Sequence, residues 1–316
     1  MQTDIAIQLE DLVKVFGRGS KRVKALKGID LTVQRGHIFG FLGPNGAGKT
    51  TTIRLIMDLI RPSRGSVRVF SQDVRRRHGV LRNVGAIVEQ ASFYPFLTGG
   101  KNLEVIADVG DHDPKRIPEL LNRVGLSNHA NKRLSSYSTG MRQRLGLAAA
   151  LIGDPHLLLL DEPTAGLDPA GMHEVRTYLR ELVDHEQKTV FLSSHLLAEV
   201  EQVCDRVAII HRGEIIREGK VSDLLHGHTK LRIQVSPLST AQRALEEKWE
   251  ISASNVEEES RPSESGWITL VSSKSEAPMI VRRLVDAGVD IFQLATQSKT
   301  LEAYFLEATE EESNSD

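Results

Sequence analysis

Apolar and polar positions alternate at Ile5, Ile7 and Leu9 and again at Ile29, Leu31 and Val33, predicting two early strands that each bury one face. His37 to Leu42 reads as a further strand. Lys49 to Ile60 reads as a helix, with Ile53, Ile56, Met57 and Ile60 at helical spacing until Pro62 and Gly65 stop it. Ser66 to Phe70 returns to a short strand, and Arg75-Arg-Arg-His78 reads as a solvated face. From Phe93 to Leu151 the alternation ceases, and Asn102 to Val109 and Ile117 to Val124 predict helices joined by Gly, Asp and Asn turns. Strands resume at Leu157 to Leu160, Thr189 to Ser193 and Arg206 to His211, separated by helices from Ala170 to Glu186 and near Leu196 to Cys204. Strands alternating with helices imply a mainly parallel α/β sheet.

The character changes after Gly227-His-Thr229. Leu231 to Ser236 and Trp267 to Ser272 read as strands, and Ala241 to Glu250, Ala277 to Ala287 and Leu301 to Ala308 as helices. The expected organisation is a first domain over 1–228, with a β-rich start and a helical subdomain at about 93–151, and a small C-terminal α+β domain over 229–316. Its acidic tail, Glu310-Glu-Glu-Ser-Asn-Ser-Asp316, has too little apolar surface to order itself.

Between the third strand and its helix lies Gly43-Pro44-Asn45-Gly46-Ala47-Gly48-Lys49-Thr50, a P-loop in the strand-to-helix context that such a motif requires. The glycines let backbone N–H groups turn inward, so loop and helix N-terminus form a nest for phosphate oxygens. Lys49 adds charge at the β- and γ-phosphates, Thr50 offers a hydroxyl to Mg²⁺, and Thr51 is a neighbouring contact.

Composition adds little direction. Forty Lys and Arg against forty-two Asp and Glu leave a net charge of −2, which gives no electrostatic argument for nucleic acid or an acidic membrane surface. The single cysteine, Cys204, excludes an internal disulfide and any multi-cysteine metal site. The first residues show no targeting pattern, and no stretch approaches the ~20 apolar residues that a spanning helix needs.

Leu157 to Leu160 is apolar on both faces, as a central strand should be, and delivers Asp161-Glu162-Pro163 to the sheet edge that holds the P-loop. In P-loop ATPases an Asp here holds Mg²⁺ and the next carboxylate orients the attacking water, which assigns Asp161 and Glu162.

Ser135-Ser-Tyr-Ser138-Thr-Gly140-Met-Arg-Gln143-Arg precedes a helical stretch, Leu145 to Ile152, and then the Asp161-Glu162 strand. Ser138 can cap that helix, so its hydroxyl, the N–H groups near Gly140 and the helix dipole favour an anion; read alone, the residues also fit a plain capped helix. In this order they resemble the signature of the ABC ATPases, and the resemblance spans Ile5 to about Gly227. It implies that Ala165-Gly-Leu-Asp168 is the D-loop, with Asp168 at the nucleotide. It also makes His195, after Ser193-Ser194, the switch histidine at the γ-phosphate. Phe16 would be the aromatic that stacks on adenine, with a core phenylalanine as the competing reading.

One position departs from the family. Aligning Val84-Gly-Ala-Ile-Val-Glu89 with the Q-loop puts Glu89 where glutamine is usual and Gln90 one residue late, so either is the candidate Mg²⁺-side group. Glu89 and the tyrosine-led signature at Tyr137 together resemble the bacitracin and lantibiotic exporter subgroup. Phe93, Tyr94 and Phe96 cluster where family members meet a membrane partner; core anchoring fits them equally.

The resemblance implies an ATP-binding and hydrolysing subunit that uses ATP and Mg²⁺. Two copies would sandwich two ATP molecules, with Ser138 and Gly140 of one facing the P-loop of the other. Glu162 would hold the water, while Lys49 and His195 stabilise transition-state charge. A separate integral-membrane permease would hold the chain at the cytoplasmic face of the cell membrane, for drug, antibiotic or peptide export, with no nucleic-acid partner. The alternative is a soluble non-transport ABC ATPase acting on a ribosomal or nucleic-acid partner, usually built with two nucleotide-binding halves or a long coiled-coil insertion. A nucleotide-binding regulator without turnover is a third reading, against which an intact Glu162 argues.

Overall fold

In the computed structural model, which describes residues 4–89, 92–226, 230–255, 265–272, 276–297 and 301–305, β1 (Ile5–Phe16) and β2 (Val23–Gln34) pair antiparallel with Leu9 opposite Leu31. Next come β3 (Ile38–Leu42), α1 (Lys49–Ile56), β4 (Arg64–Val69), β5 (Gln72–Asp73) and β6 (Val84–Ile87). The helical stretch contains α2 (Gly99–Gly110), α3 (Ile117–Arg123) and α4 (Thr139–Ala150). It is followed by β7 (Leu157–Asp161), α5 (Pro169–Asp184), β8 (Thr189–Ser194), α6 (Leu197–Val203), β9 (Arg206–His211) and β10 (Glu214–Lys220). The remainder is α7 (Val221–His226), β11 (Lys230–Ser236), α8 (Leu238–Glu246), β12 (Ile251–Asn255), β13 (Gly266–Val271), α9 (Ala277–Asp286) and β14 (Asp290–Gln297). These form two compact units, Met1–Lys220 and Val221–Asp316.

The first unit holds two sheets. One is antiparallel, in the order β2-β1-β4-β5; the other runs β10-β9-β3-β8-β7-β6 and is parallel apart from its β10 edge. Every residue of β3, β7 and β8 is buried, as expected of central strands covered on both faces. Phe39 of β3 lies opposite Phe191 of β8, and their rings stack with centroids 5.8 Å apart. Truncating Phe191 to Ala would cost about 3–5 kcal/mol. In the same β3–β8 register Leu42 meets Ser194, and in the β7–β8 ladder Asp161 meets Ser193, so the loops after β3, β7 and β8 leave one edge together.

The second unit has the order β11-α8-β12-β13-α9-β14 and an antiparallel sheet, β12-β13-β11-β14, which is the ferredoxin-like split βαβ arrangement. Leu231, Ile233 and Val235 on β11 pack with Ile268 and Leu270 on β13 and with Ala241, Leu245, Ile280 and Leu284 from the two helices.

The α/β class with a helical insertion and a small α+β unit matches the sequence reading, but several elements differ. Helix α1 ends at Ile56, short of the expected Ile60, because Asp58 turns left-handed (φ 52°). Its N–H bonds Leu55 O at 3.1 Å while the Leu59 N–H bonds Arg54 O at 2.9 Å, closing the helix in a Schellman turn. Met57 and Ile60 still pack on the core, which is why the apolar period runs past the helix. Strands β6, β10, β12 and β14 lie outside the sequence reading: β6 and β10 lack a clear alternation, β12 alternates only with small residues as Ile-Ser-Ala-Ser-Asn, and β14 is an edge strand with Phe292 and Leu294 exposed. The acidic tail lies outside the described residues.

Candidate active site

The P-loop leaves β3 at Gly43 and enters α1 at Lys49, and its shape demands glycine at two places. A Cβ on Gly43 would stand 2.2 Å from Ile210 O, and Gly48 holds φ +116° as the residue before the helix. Between them lie Pro44, Asn45, Gly46 (φ 82°) and Ala47, and the turn after β9 braces the loop through Gly213 N–H to Ala47 O at 3.0 Å. Lys49, 6% exposed, donates to Gly43 O at 2.7 Å and Pro44 O at 3.3 Å. Thr51 follows, half-buried, in the same helical turn.

Three strand ends converge on this loop. Thr50 Oγ1 donates to Asp161 Oδ2 at 2.7 Å, and the other carboxylate oxygen of Asp161 accepts from Ser193 Oγ. Glu162 sits in the left-handed region at φ 50°, rare for a residue other than glycine. Its N–H bonds both Ser193 O (3.2 Å) and Ser193 Oγ (3.1 Å). That backbone aims the carboxylate between Lys49 and His195, with Lys49 Nζ 3.3 Å from Oε1 and His195 Nδ1 2.8 Å from Oε2. Thr50 and Asp161 are adjacent hard oxygen donors, a pair that suits Mg²⁺, which takes few protein ligands and keeps phosphate and water oxygens.

Ser138, Gly140 and Asp168 form a separate cluster. Ser138 caps α4 by accepting from Met141 N–H at 3.2 Å, and Asp168 caps α5 by accepting from Gly171 N–H at 3.0 Å. The two helix starts line a groove of about 500 Å³ with Gly140 and Gly166 in its wall, and two N-terminal dipoles favour an anion there. Their side-chain bonds remain at their own helix ends, so within one chain this cluster does not join the P-loop.

Phe16, at the end of β1, is 40% exposed, with Lys14 Nζ 4.9 Å from its ring centroid, so it is no core residue. Tyr94 and Phe96 are exposed and lie ring to ring at 5.7 Å, held by buried Asn102, which bonds both the Tyr94 N–H (2.7 Å) and its carbonyl (3.1 Å). Glu89, left-handed at φ 62°, pairs with Arg54 of α1; Gln90 lies outside the described residues. Cys204 is buried just after α6, and burial pushes its thiol well up, which keeps it unreactive.

Four contacts escaped the sequence reading: Ser193 under Asp161 and Glu162, Gln143 on the Glu162 carbonyl (3.0 Å), Arg54 on Glu89 and Lys14 on Phe16. Ser193 was traceable once β8 is set beside β7, and Lys14 lies two residues before Phe16 on the same face of β1; the other two join segments with no shared periodicity.

Residues 26–165 match the family described as ABC transporter. The chain is 37% identical to the bacitracin transport ATP-binding protein BcrA of Bacillus licheniformis, over 95% of this chain and 96% of that one. It is 40% identical to an uncharacterized ABC transporter ATP-binding protein, YdbJ, of Bacillus subtilis strain 168, over 96% and 95%. The fold superimposes on the ATP-binding cassette MJ0796, solved as a dimer in a post-hydrolysis state with ADP and Pi, at TM-score 0.63 and 26% identity over 68% of this chain and 98% of that one. With such identity along nearly its whole length, the chain belongs to the ABC transporter family as one of its ATP-binding, ATP-hydrolysing subunits.

Proposed function

We propose that this ATPase powers export of an antibiotic or peptide through a separate membrane permease, as a dimer at the cytoplasmic face of the membrane. The observation that carries the hydrolytic half is the convergence of Lys49 and His195 on the Glu162 carboxylate beside the Thr50–Asp161 pair. The bacitracin transport relatives support the export half over the ribosomal or nucleic-acid alternative.

ATP lies with its phosphates on the P-loop N–H groups and its adenine on Phe16. Thr50 and Asp161 would hold Mg²⁺, which would neutralise phosphate charge. Glu162 orients a water in line with the γ-phosphorus, and Lys49 and His195 stabilise the charge that spreads over the phosphoryl oxygens. Ser138, Gly140 and Asp168 serve the nucleotide of a second copy, since two helix N-termini face this one groove and both favour an anion. The permease docks beside exposed Tyr94 and Phe96, at a groove of about 420 Å³ that Tyr94 lines with Val105, Val109 and Ile152. Among the described residues no helix is long and apolar enough to cross a membrane, so a spanning partner carries the solute.

The test has two arms. Phosphate release from Mg-ATP should fall at least about hundredfold in Glu162→Gln while ATP still binds; full turnover in that variant would overturn the role of Glu162. Gentle solubilisation of membranes with the tagged chain should bring down a multi-spanning permease, and recovery of ribosomes or nucleic acid instead would overturn the export reading.

A further inference from the structure

We propose that Gln143 is a positioning residue for Glu162, tying the helix that starts at Ser138 to the turn that carries the hydrolytic carboxylate. The inference rests on the reading of Glu162 given above. Gln143 stands on α4 five residues after the Ser138 cap, about 140° around the helix axis from it. Ser138 and Gly140 line the groove shared with Asp168, while the half-buried Gln143 reaches the end of β7. Its Nε2 donates to Glu162 O at 3.0 Å.

The Glu162 backbone needs such support. At φ 50° a residue with a Cβ is strained and persists only where its surroundings over-determine it. Ser193 secures the N–H side twice, and Gln143 is the side-chain partner on the carbonyl side. The same carbonyl also accepts from Ala165 N–H at 3.1 Å. Removing the Gln143 donor therefore leaves no orphaned acceptor, and the fold loses little. What is lost is the link to α4.

That link closes a ring within one chain. From Glu162 the backbone runs through Ala165 and Leu167 to Asp168, which faces the α4 N-terminus across the groove; Leu167 also packs close to Gly140, 3.3 Å from where a Cβ would stand. Gln143 completes the ring on the other side, so any displacement of α4 by an anion at Ser138 moves the Glu162 carbonyl. One chain's reading of its partner's nucleotide is in this way coupled to the carboxylate at its own.

The variant is Gln143→Met, which keeps length and loses the donor, made in the full-length chain. The expected result is a kcat lower by roughly ten- to hundredfold, with KM for ATP within about twofold and the thermal midpoint within about 3 °C. In a Glu162→Gln background, ATP-driven dimerisation should be the same with Gln143 or Met, because the groove itself is untouched. A wild-type kcat overturns the proposal. So does a fall in kcat accompanied by a raised KM and a lowered midpoint, the signature of a purely structural role. If Glu162→Gln alone hydrolyses normally, the assignment of Glu162 fails first; a normal Gln143→Met beside an inactive Glu162→Gln sinks only the link.

Discussion

Arg54, on the helix that follows the P-loop, forms an ion pair with Glu89, the residue standing where the family usually has glutamine. The Glu89 carboxylate is thereby held at Arg54, whereas Thr50, in the first turn of the same helix, bonds Asp161 at the end of the neighbouring strand β7. The Glu89 side chain is 61% exposed, so the pair contributes at most about 1 kcal/mol and can open when other charges arrive.

Arg54→Met is expected to leave stability within about 1 kcal/mol of wild type. Glu89→Ala should lower Mg²⁺-dependent hydrolysis more than either Arg54→Met or Gln90→Ala, as measured by phosphate release across a Mg²⁺ titration. If Arg54→Met matches Glu89→Ala, the ion pair and not the free carboxylate is what matters; if Gln90→Ala is the most damaging, the glutamine carries the role.

Phe16 presents an exposed ring, one end of which is visited by the Lys14 ammonium, itself anchored on Arg61 O at 2.7 Å. Stacking of a base on such a ring is worth about 1–3 kcal/mol. Phe16→Ala should raise KM for ATP roughly tenfold while kcat at saturation stays near wild type, and Phe16→Trp should retain the wild-type KM. Unchanged KM in Phe16→Ala would place the adenine elsewhere.

Lys188, 5% exposed at the start of β8, donates to Asp154 Oδ1 at 2.7 Å and Pro155 O at 3.1 Å. The Lys188 hydrogen bond, outweighing burial, holds the Asp154 carboxyl below its usual range. A carboxyl depressed in the folded state contributes stability above its unfolded pKa, near ~3.9, and loses it as pH falls through the folded value. Asp154→Asn should therefore cost up to about 1 kcal/mol at pH 7, limited by solvent screening of a side chain that is 63% exposed. Denaturant titrations should show the deficit shrinking below pH ~4; a deficit independent of pH would exclude the ion pair as its source.

Much of this protein is written locally. The residues from Gly43 to Thr50 specify a phosphate nest because glycine φ freedom, a helix start and a lysine are all consecutive. Leu157 to Glu162 likewise announces a buried strand ending in two carboxylates, since burial on both faces leaves an apolar run without alternation. The capped helix at Ser138 was legible too, but its reading as a signature came from the resemblance to the ABC ATPases, which rests on its place before Asp161-Glu162. Tertiary structure decided the rest. Which strand lies beside β7 was set by the sheet pairing, in which Leu159 meets Phe191, and that register puts Ser193 under Asp161 and Glu162. The left-handed turn at Glu162, the Gln143 bond to its carbonyl and the Arg54 grip on Glu89 each join segments far apart in the chain. A periodic pattern records which face of an element is buried; it carries no record of which distant side chain will meet it.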